Sequence, residues 1–496
     1  MDSKSAQFTD EEIRQSIEKT ITDHSAAIKD INYKIFNNAE LAWHESTAHD
    51  AICDYFESLG SDYKVHRHAY DIDTSFLIEV TTRGTDDTGT NHRTVAYNAE
   101  YDALPNMVVV PDMVPPKYKS AHACGHNLIA SASIAAFVAC WEMLKMLGLP
   151  GTVKLLGTPA EESGGGKIKL LQYGAYTNVD ACIMAHPGPL ASDKDLRALA
   201  FTRSLASQRL VVDFEGLASH AGIAPWDGRN ALDAFVNSYV AISALRQQLH
   251  PSLRVAGIIK DGGKAANIIP DHSRAEYSIR APSRKDLDDL RHKVTRCFES
   301  GGQAAGCTTK VNDTRAAYWD IISNPSLCQD FTKRMNEFGV KTVYKLPEIT
   351  DNPGAASDQG NVSHFCPAMQ AAFFIESGGA VNHTPAFVKA AGTEDAFMRA
   401  INCAKGLAAV GLDVLVDGRI AKEVQESYAS DISAKAATVA REFGKEVPSQ
   451  DQITGLLESL PPLAQALLKA PGVSKEQVIA ALMAVDVYFD EKKGLF

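Results

Sequence analysis

The chain has 496 residues, 45% hydrophobic and 22% charged, the composition of an ordinary globular protein with ample core. Its net charge of -12, with no Lys/Arg-rich run, weighs against nucleic acid or an anionic membrane as the main partner. No apolar run approaches the roughly 18 residues of a membrane span, and the acidic N-terminus lacks a signal-like apolar core. The nine cysteines, an odd number set mostly in apolar segments, read as buried free thiols, so a cytoplasmic location is expected.

Residues 9–60 carry helical periodicity, opening on Thr9 with acids in the first turn. From about 75 to 200, the short β-rich runs "SFLIEV", "TVAYNA", "GTVKLLGT" and "ACIMAH" alternate with helical stretches, among them residues 128–147. Such alternation predicts an α/β fold with a mostly parallel sheet and crossover helices. Near residue 204 the pattern changes to strand, helix, strand, strand, helix, which predicts an inserted α+β unit over 204–318. The first pattern resumes with "QAAFFIES" and a helix over 393–416. Beyond 418, several short amphipathic helices broken by Pro461, Pro462 and Pro471 are expected. The organisation predicted is thus one domain in two parts, 1–203 and 319–417, an insertion at 204–318, and a helical C-terminal extension at 418–496.

Three of the strand runs end in chemistry. "TVAYNAEYDALP" ends in Glu100 and Asp102, "GTVKLLGTPAEESGGGK" in Glu161 and Glu162, and "DACIMAHPG" in His186. Open α/β sheets place ligands beyond the carboxyl ends of their strands, so these groups can converge on one edge. "HACGH" adds Cys124 and His126 from the loop before a long helix, and "ESGGAVNHTPAF" adds His383. Thiolate, imidazole and carboxylate are the ligands of Zn²⁺ or Mn²⁺, and a set this large can hold two ions. Of two adjacent glutamates, one can bind metal while the other serves as general base. Taken singly, each of these residues is more often a cap, a turn or a core side chain; their order and context carry the reading.

The motifs "NAEYDALP", "HACGHN", "GTPAEESGGGK", "FEGLASHAGIAPWDGRNALDA", "NIIPDHSRAEYSIRAP", "SDQGNVSH" and "VNHTPAF" occur in the order found in the M20 family of metallopeptidases and amidohydrolases. Over roughly residues 10–415 the chain resembles the branch holding aminoacylases, auxin-conjugate hydrolases, p-aminobenzoyl-glutamate hydrolase and the M20 domain-containing protein 2 dipeptidases. The resemblance implies metal ligands at Cys124, His126, Glu162, His186 and His383, a general base at Glu161, and Asp102 orienting a ligand. It makes the inserted unit a lid and dimerisation domain, whose His220 reaches the partner subunit's site to stabilise an oxyanion. It also puts Asn267 and Arg280 on the substrate's carboxylate, which suits the bidentate grip of Arg. His122 reads as supporting or structural, and His92 and His364 have no assigned role. The stretch 106–120 and the tail beyond 418 depart from the family pattern.

The expected function is therefore metal-dependent hydrolysis of an amide or peptide bond in a small N-acyl amino acid or dipeptide-like substrate. One or two Zn²⁺ or Mn²⁺ ions per chain, a Glu161-deprotonated metal-bound water and a homodimer through the lid complete it. The alternatives are a cysteine hydrolase using Cys124 with His126 or His122, a non-catalytic binding or regulatory protein on the same scaffold, and an amide-forming enzyme using the same site.

Overall fold

A computed structural model describes residues 8–83, 92–110, 113, 117–350 and 353–443, with the backbone alone for 435–443. The described parts of Met1–Arg203, Ile322–Asn352 and Asn361–Phe496 form one compact unit, and Ser204–Ile321 with Pro353–Gly360 form a second.

The first unit is built on an eight-stranded sheet. At its centre, Gly151–Gly157, Thr94–Ala99, Ala181–Pro189 and Ala368–Ile375 lie side by side and parallel. These four runs are apolar almost throughout because both faces are covered, the condition under which parallel strands occur. The mostly parallel sheet expected from the sequence is present, with antiparallel margins that the alternation did not foretell. Phe76–Thr82 runs antiparallel to Gly151–Gly157, and Lys64–Arg67 antiparallel to Phe76–Thr82. At the other margin sit the two-residue strands Ala198–Leu199 and Thr342–Val343.

The helix His126–Leu147 is buried along almost its whole length, between the sheet and the helices Asp10–Asn37 and Glu394–Val416. By length and composition it could cross a membrane, yet 94% of its most apolar window is buried inside this fold. Its hydrophobicity is that of a central core helix.

The two stretches that depart from the family pattern take definite form, and the expectation of short helices beyond 418 is corrected. The stretch after Ala103 is a hairpin, Leu104–Val110 pairing antiparallel with Lys117–Ala121. Beyond 418 one continuous helix, Gly418–Phe443, replaces the first of several short ones. Residues 444–496, with the three prolines, lie outside the described residues.

The second unit is a four-stranded antiparallel sheet in the order Arg254–Asp261, His272–Ala281, Ala206–Glu215, Thr308–Asp313. The helices Ala231–Leu245 and Arg284–Ala304 pack on it, capped by Asn230 and Ser283. Arg254–Asp261 is an edge strand with Ile258 and Ile259 exposed, and Val236, Tyr239 and Val240 are exposed on Ala231–Leu245.

Between the helices Pro325–Glu337 and Glu394–Val416, Arg334 grips both oxygens of Asp413 at 2.6 and 2.7 Å, with Asp330 beside the pair. Burial and the neighbouring Asp413 push the Asp330 carboxyl up to about 8. An unfolded aspartate titrates near about 4. Between those values the folded chain binds the extra proton, so stability falls as pH rises through that window. Asp330→Asn should flatten the decline and raise the melting temperature above pH 7. A melting series from pH 5 to 8 with the parent's slope unchanged would refute this.

Candidate metal centre

The carboxyl ends of the four parallel strands converge on one cluster. Glu100 and Asp102 follow Thr94–Ala99, Glu161 and Glu162 follow Gly151–Gly157, and His186 lies within Ala181–Pro189. His383 stands in the loop between Ala368–Ile375 and Pro385–Ala391, and Cys124 and His126 stand at the start of His126–Leu147. Gly125 has φ +80, and a Cβ there would lie 2.7 Å from Pro187 Cγ. Glycine is what lets Cys124 and His126 flank so tight a turn.

Asp102 binds two parts of the cluster together. One oxygen accepts the His126 Nδ1–H at 2.9 Å, and the other accepts the Glu162 backbone N–H at 2.9 Å. His126 Nε2 thereby faces Glu100, Glu161 and Glu162 at 3.5, 3.9 and 3.8 Å. His186 donates its Nδ1–H to the Pro187 carbonyl at 2.8 Å, leaving Nε2 3.3 Å from Cys124 Sγ. His383 Nε2 lies 3.5 Å from Glu162 Oε1. His383 has φ +66, a strained value for a residue with a side chain, and its N–H is tied to the Ala123 carbonyl at 2.8 Å.

Burial drives the electrostatics. It pushes the Glu162 carboxyl up to about 7, lowers His186 to about 4, and raises the Cys124 thiol. His186 is thus a neutral imidazole, the form that binds metal. For Glu100 burial works upward too, but Lys167, His126 and His186 outweigh it and hold the carboxyl below its usual range.

Three overlapping sets of potential ligand atoms result: Cys124, His126, His186; Cys124, Glu162, His383; and Glu100, His126, Glu161. Within each set the atoms lie within 4.8 Å of one another. A tetrahedral zinc with bonds of about 2.1 Å spaces its ligand atoms by roughly 3.4 Å. The pairs Cys124–His186, Glu162–His383 and Glu100–His126 have separations of 3.3, 3.5 and 3.5 Å. Glu100 Oε2 and His126 Nε2 are fully buried with no hydrogen-bond partner, as atoms facing a cation would be. The residues fit a divalent metal centre.

The remaining sequence-selected residues fall elsewhere. His122 is buried against the first helix, its Nε2 3.1 Å from the Ile35 carbonyl and its ring stacked on Phe36. His92 lies 2.8 Å from Thr152 Oγ1, at the opposite end of the strands from the cluster. In the second unit, His220 Nδ1 accepts two backbone N–H groups, from Gly222 at 3.1 Å and Ile223 at 3.2 Å. Its proton is therefore on Nε2, which becomes a donor. The Asn267 carbonyl accepts the Ala221 N–H at 3.0 Å, so His220 and Asn267 share one ribbon. Arg280 donates to the Gly354 carbonyl at 2.7 Å and pairs with Ser207 across the sheet, whereas His272 pairs with Glu215. The eight residue steps from Ser207 to Glu215 put Arg280 roughly 26 Å along the strand from the end that leads to His220.

Three supporting residues escaped the sequence reading. Glu45, fully buried, accepts the Ala160 N–H and the Thr74 hydroxyl at 2.8 Å each. With Asp102 on the Glu162 N–H, both backbone amides flanking Glu161 are held by buried carboxylates. Asn382 donates to the Pro187 carbonyl at 3.1 Å and the Cys124 carbonyl at 3.4 Å. Lys167, fully buried, reaches Glu100 Oε1 at 2.6 Å. A glycine-rich turn followed by a lysine was the one visible signal; the other two are contacts between distant segments.

Groups that orient metal-binding histidines typically carry 10- to 100-fold in metal affinity, on the order set by such outer contacts. Asp102→Ala should weaken zinc binding by about that factor in a chelator competition. Unchanged affinity in a folded variant would remove Asp102 from this role.

Comparison with known proteins identifies relatives of the chain. Residues 203–304 match the peptidase dimerisation domain of the M20 family. The chain is 36% identical over 398 residues to the Xaa-Arg dipeptidase of Mus musculus, covering 79% of this chain and 87% of that protein. It is 28% identical to one of the polypeptides of the p-aminobenzoyl-glutamate hydrolase of Escherichia coli K12, covering 66% of each. Its fold matches that of a dinuclear metal-binding M20 peptidase from Bacillus subtilis, with a TM-score of 0.55 and 17% identity over 80% of this chain and 99% of that one. From the extent of the dipeptidase match and the matching dimerisation domain, the chain belongs to the M20 family of metallopeptidases and amidohydrolases.

Proposed function

We propose that this protein hydrolyses the amide bond of a dipeptide-like substrate or small N-acyl amino acid at a centre holding one or two Zn²⁺ or Mn²⁺ ions. The observation that carries the reading is the cluster itself: a thiol, three imidazoles and three glutamates at the ends of adjacent parallel strands. The dipeptidase and aminobenzoyl-glutamate hydrolase relatives support the substrate class.

Cys124, His126, Glu162, His186 and His383 would hold the metal, which supplies Lewis-acid polarisation of the scissile carbonyl and a water that ionises near neutrality. The chain's own groups do the rest. Glu161 is the general base, taking a proton from the attacking water and delivering it to the leaving amine. Its neighbour Glu162 lies 3.5 Å from His383 and shares a set with His383 and Cys124, which supports this division. Asp102 fixes the His126 tautomer, so that Nε2 presents a lone pair.

His220, Asn267 and Arg280 would contact the substrate. With Arg280 roughly 26 Å from the His220 end of its own sheet, one copy of the second unit does not bring all three to one small molecule. A homodimer resolves this if His220 and Asn267 of one subunit serve the centre of the other. The exposed edge strand Arg254–Asp261 and its apolar residues suit pairing with a second copy. The His220 Nε2–H would then steady the developing oxyanion. All nine cysteines are free thiols, which supports a cytoplasmic setting.

Glu161→Gln should keep its metal and lose on the order of 10²-fold or more in kcat, the scale of a lost general base. Full activity in that variant, or activity unaffected by chelation, would overturn the mechanism. His220→Ala should lose roughly 10²- to 10³-fold in kcat with metal content unchanged. Mixing it with Glu161→Gln protein should restore activity through hybrid dimers. No recovery after verified subunit exchange would end the shared-site reading.

A further inference from the structure

Glu100 and Lys167 lie inside the cluster, yet no role in the reaction described so far requires them. Both are fully buried, and their 2.6 Å contact is a short charge-assisted bond. A buried ion pair stabilises a fold poorly compared with apolar residues of similar size, so this one calls for another reason. Its geometry supplies one. Lys167 occupies Oε1 of Glu100, and Oε2 is turned towards His126 Nε2 at 3.5 Å.

That separation does not fit an ordinary histidine–carboxylate hydrogen bond. His126 gives its Nδ1–H to Asp102 at 2.9 Å, so in the neutral ring Nε2 presents its lone pair beside Glu100 Oε2. Both atoms are buried and neither has a hydrogen-bond partner. Two buried acceptors at this distance call for a cation beside both, a second ring proton or a metal ion, and 3.5 Å is close to the roughly 3.4 Å edge of a tetrahedral zinc site. Glu161, the general base, lies beside both atoms, 3.9 Å from His126 Nε2.

Resting on the metal-centre reading above, we propose that Glu100 is a further metal-binding carboxylate, on the side of the centre served by His126. Lys167 is its positioning residue: by taking Oε1 it leaves Oε2 as the oxygen offered to the ion. The turn is built for that approach. A Cβ on Gly166 would stand 1.8 Å from the Pro159 carbonyl oxygen, so glycine lets the chain close down and carry Lys167 beneath the strand end. Charge favours the arrangement as well. When Cys124, Glu100, Asp102, Glu161 and Glu162 are all ionised, Lys167 and two divalent ions neutralise them.

The test is metal binding by the full chain, read by zinc titration against a chromophoric chelator and by the visible spectrum of the Co²⁺ form. Glu100→Gln alone leaves a lysine buried beside a neutral amide, so two variants that keep the charge balance are used. One is the double variant Glu100→Gln/Lys167→Met, and the other is Glu100→Asp, which keeps the ion pair but draws the carboxylate back. In each, binding of one ion should weaken by roughly 10-fold or more, and the Co²⁺ spectrum should change, while circular dichroism matches the parent. Parental affinities and an unaltered spectrum in either folded variant would make Glu100 and Lys167 a structural pair and overturn the proposal. A parent that binds no divalent ion would overturn the metal-centre reading and this proposal with it; a parent that binds and variants that do not differ overturn this one alone.

Discussion

Asp102 is the joint on which the centre depends. Its two oxygens are spent on different segments: one on the ring of His126 and the other on the backbone of Glu162. A single buried carboxylate thus sets the direction of an imidazole lone pair and the path of the chain through the two adjacent glutamates. That is a demanding use of a charged group, since burial opposes its ionisation, and His126 with the Glu162 amide restores it. Glu45 repeats the device on the Ala160 amide. The residue between these two fixed points is Glu161, whose Ala160 neighbour takes the left-handed φ of +59. Precision at Glu161 is created by what grips the backbone on either side of it.

The sheet explains why so many groups can share so small a space. Four parallel strands lie next to one another, so their carboxyl ends open on a single edge, and each contributes a group at or just beyond its end. The helix that begins at His126 is apolar nearly all round, and its burial anchors Cys124 and His126 to the core of the unit. The second unit follows a different plan, an antiparallel sheet with two helices on it, and presents His220 from a short ribbon. Two backbone N–H groups on His220 Nδ1 settle which nitrogen of the neutral ring carries the hydrogen.

The legibility of the sequence followed burial. Strands such as Thr94–Ala99 and Ala181–Pro189 stood out because runs covered on both faces have to be apolar. Glu161, Glu162, His186 and His383 stood out because each ends or follows such a run, and Cys124 and His126 because they open a long apolar helix, all within recognisable motifs. What stayed hidden was either exposed or long-range. The edge strand Thr308–Asp313 reads "TTKVND", polar enough to pass for a loop, and the hairpin after Ala103 is rich in proline and partly exposed. Glu45 meets Ala160 across more than a hundred residues, and Lys167 meets Glu100 across 67. No local pattern encodes such pairs. The antiparallel margins of the sheet were hidden for a related reason, since strand direction at an edge depends on connections that periodicity does not record.

That hairpin lies on the stretch of chain joining Asp102 to Cys124, two members of the centre. Leu104 is paired with Ala121, so the excursion is closed at its base before the chain reaches either of them. A segment clasped in this way can lengthen, shorten or change composition at its far end without altering the distance between the points where it leaves and returns. The cost of extra length in a closed loop grows slowly, by about 0.6 kcal/mol for each doubling. The metal centre and the segment hanging from it are therefore free to diverge at different rates. New selectivity could be built at the tip by insertion, while the chemistry beneath is inherited unchanged.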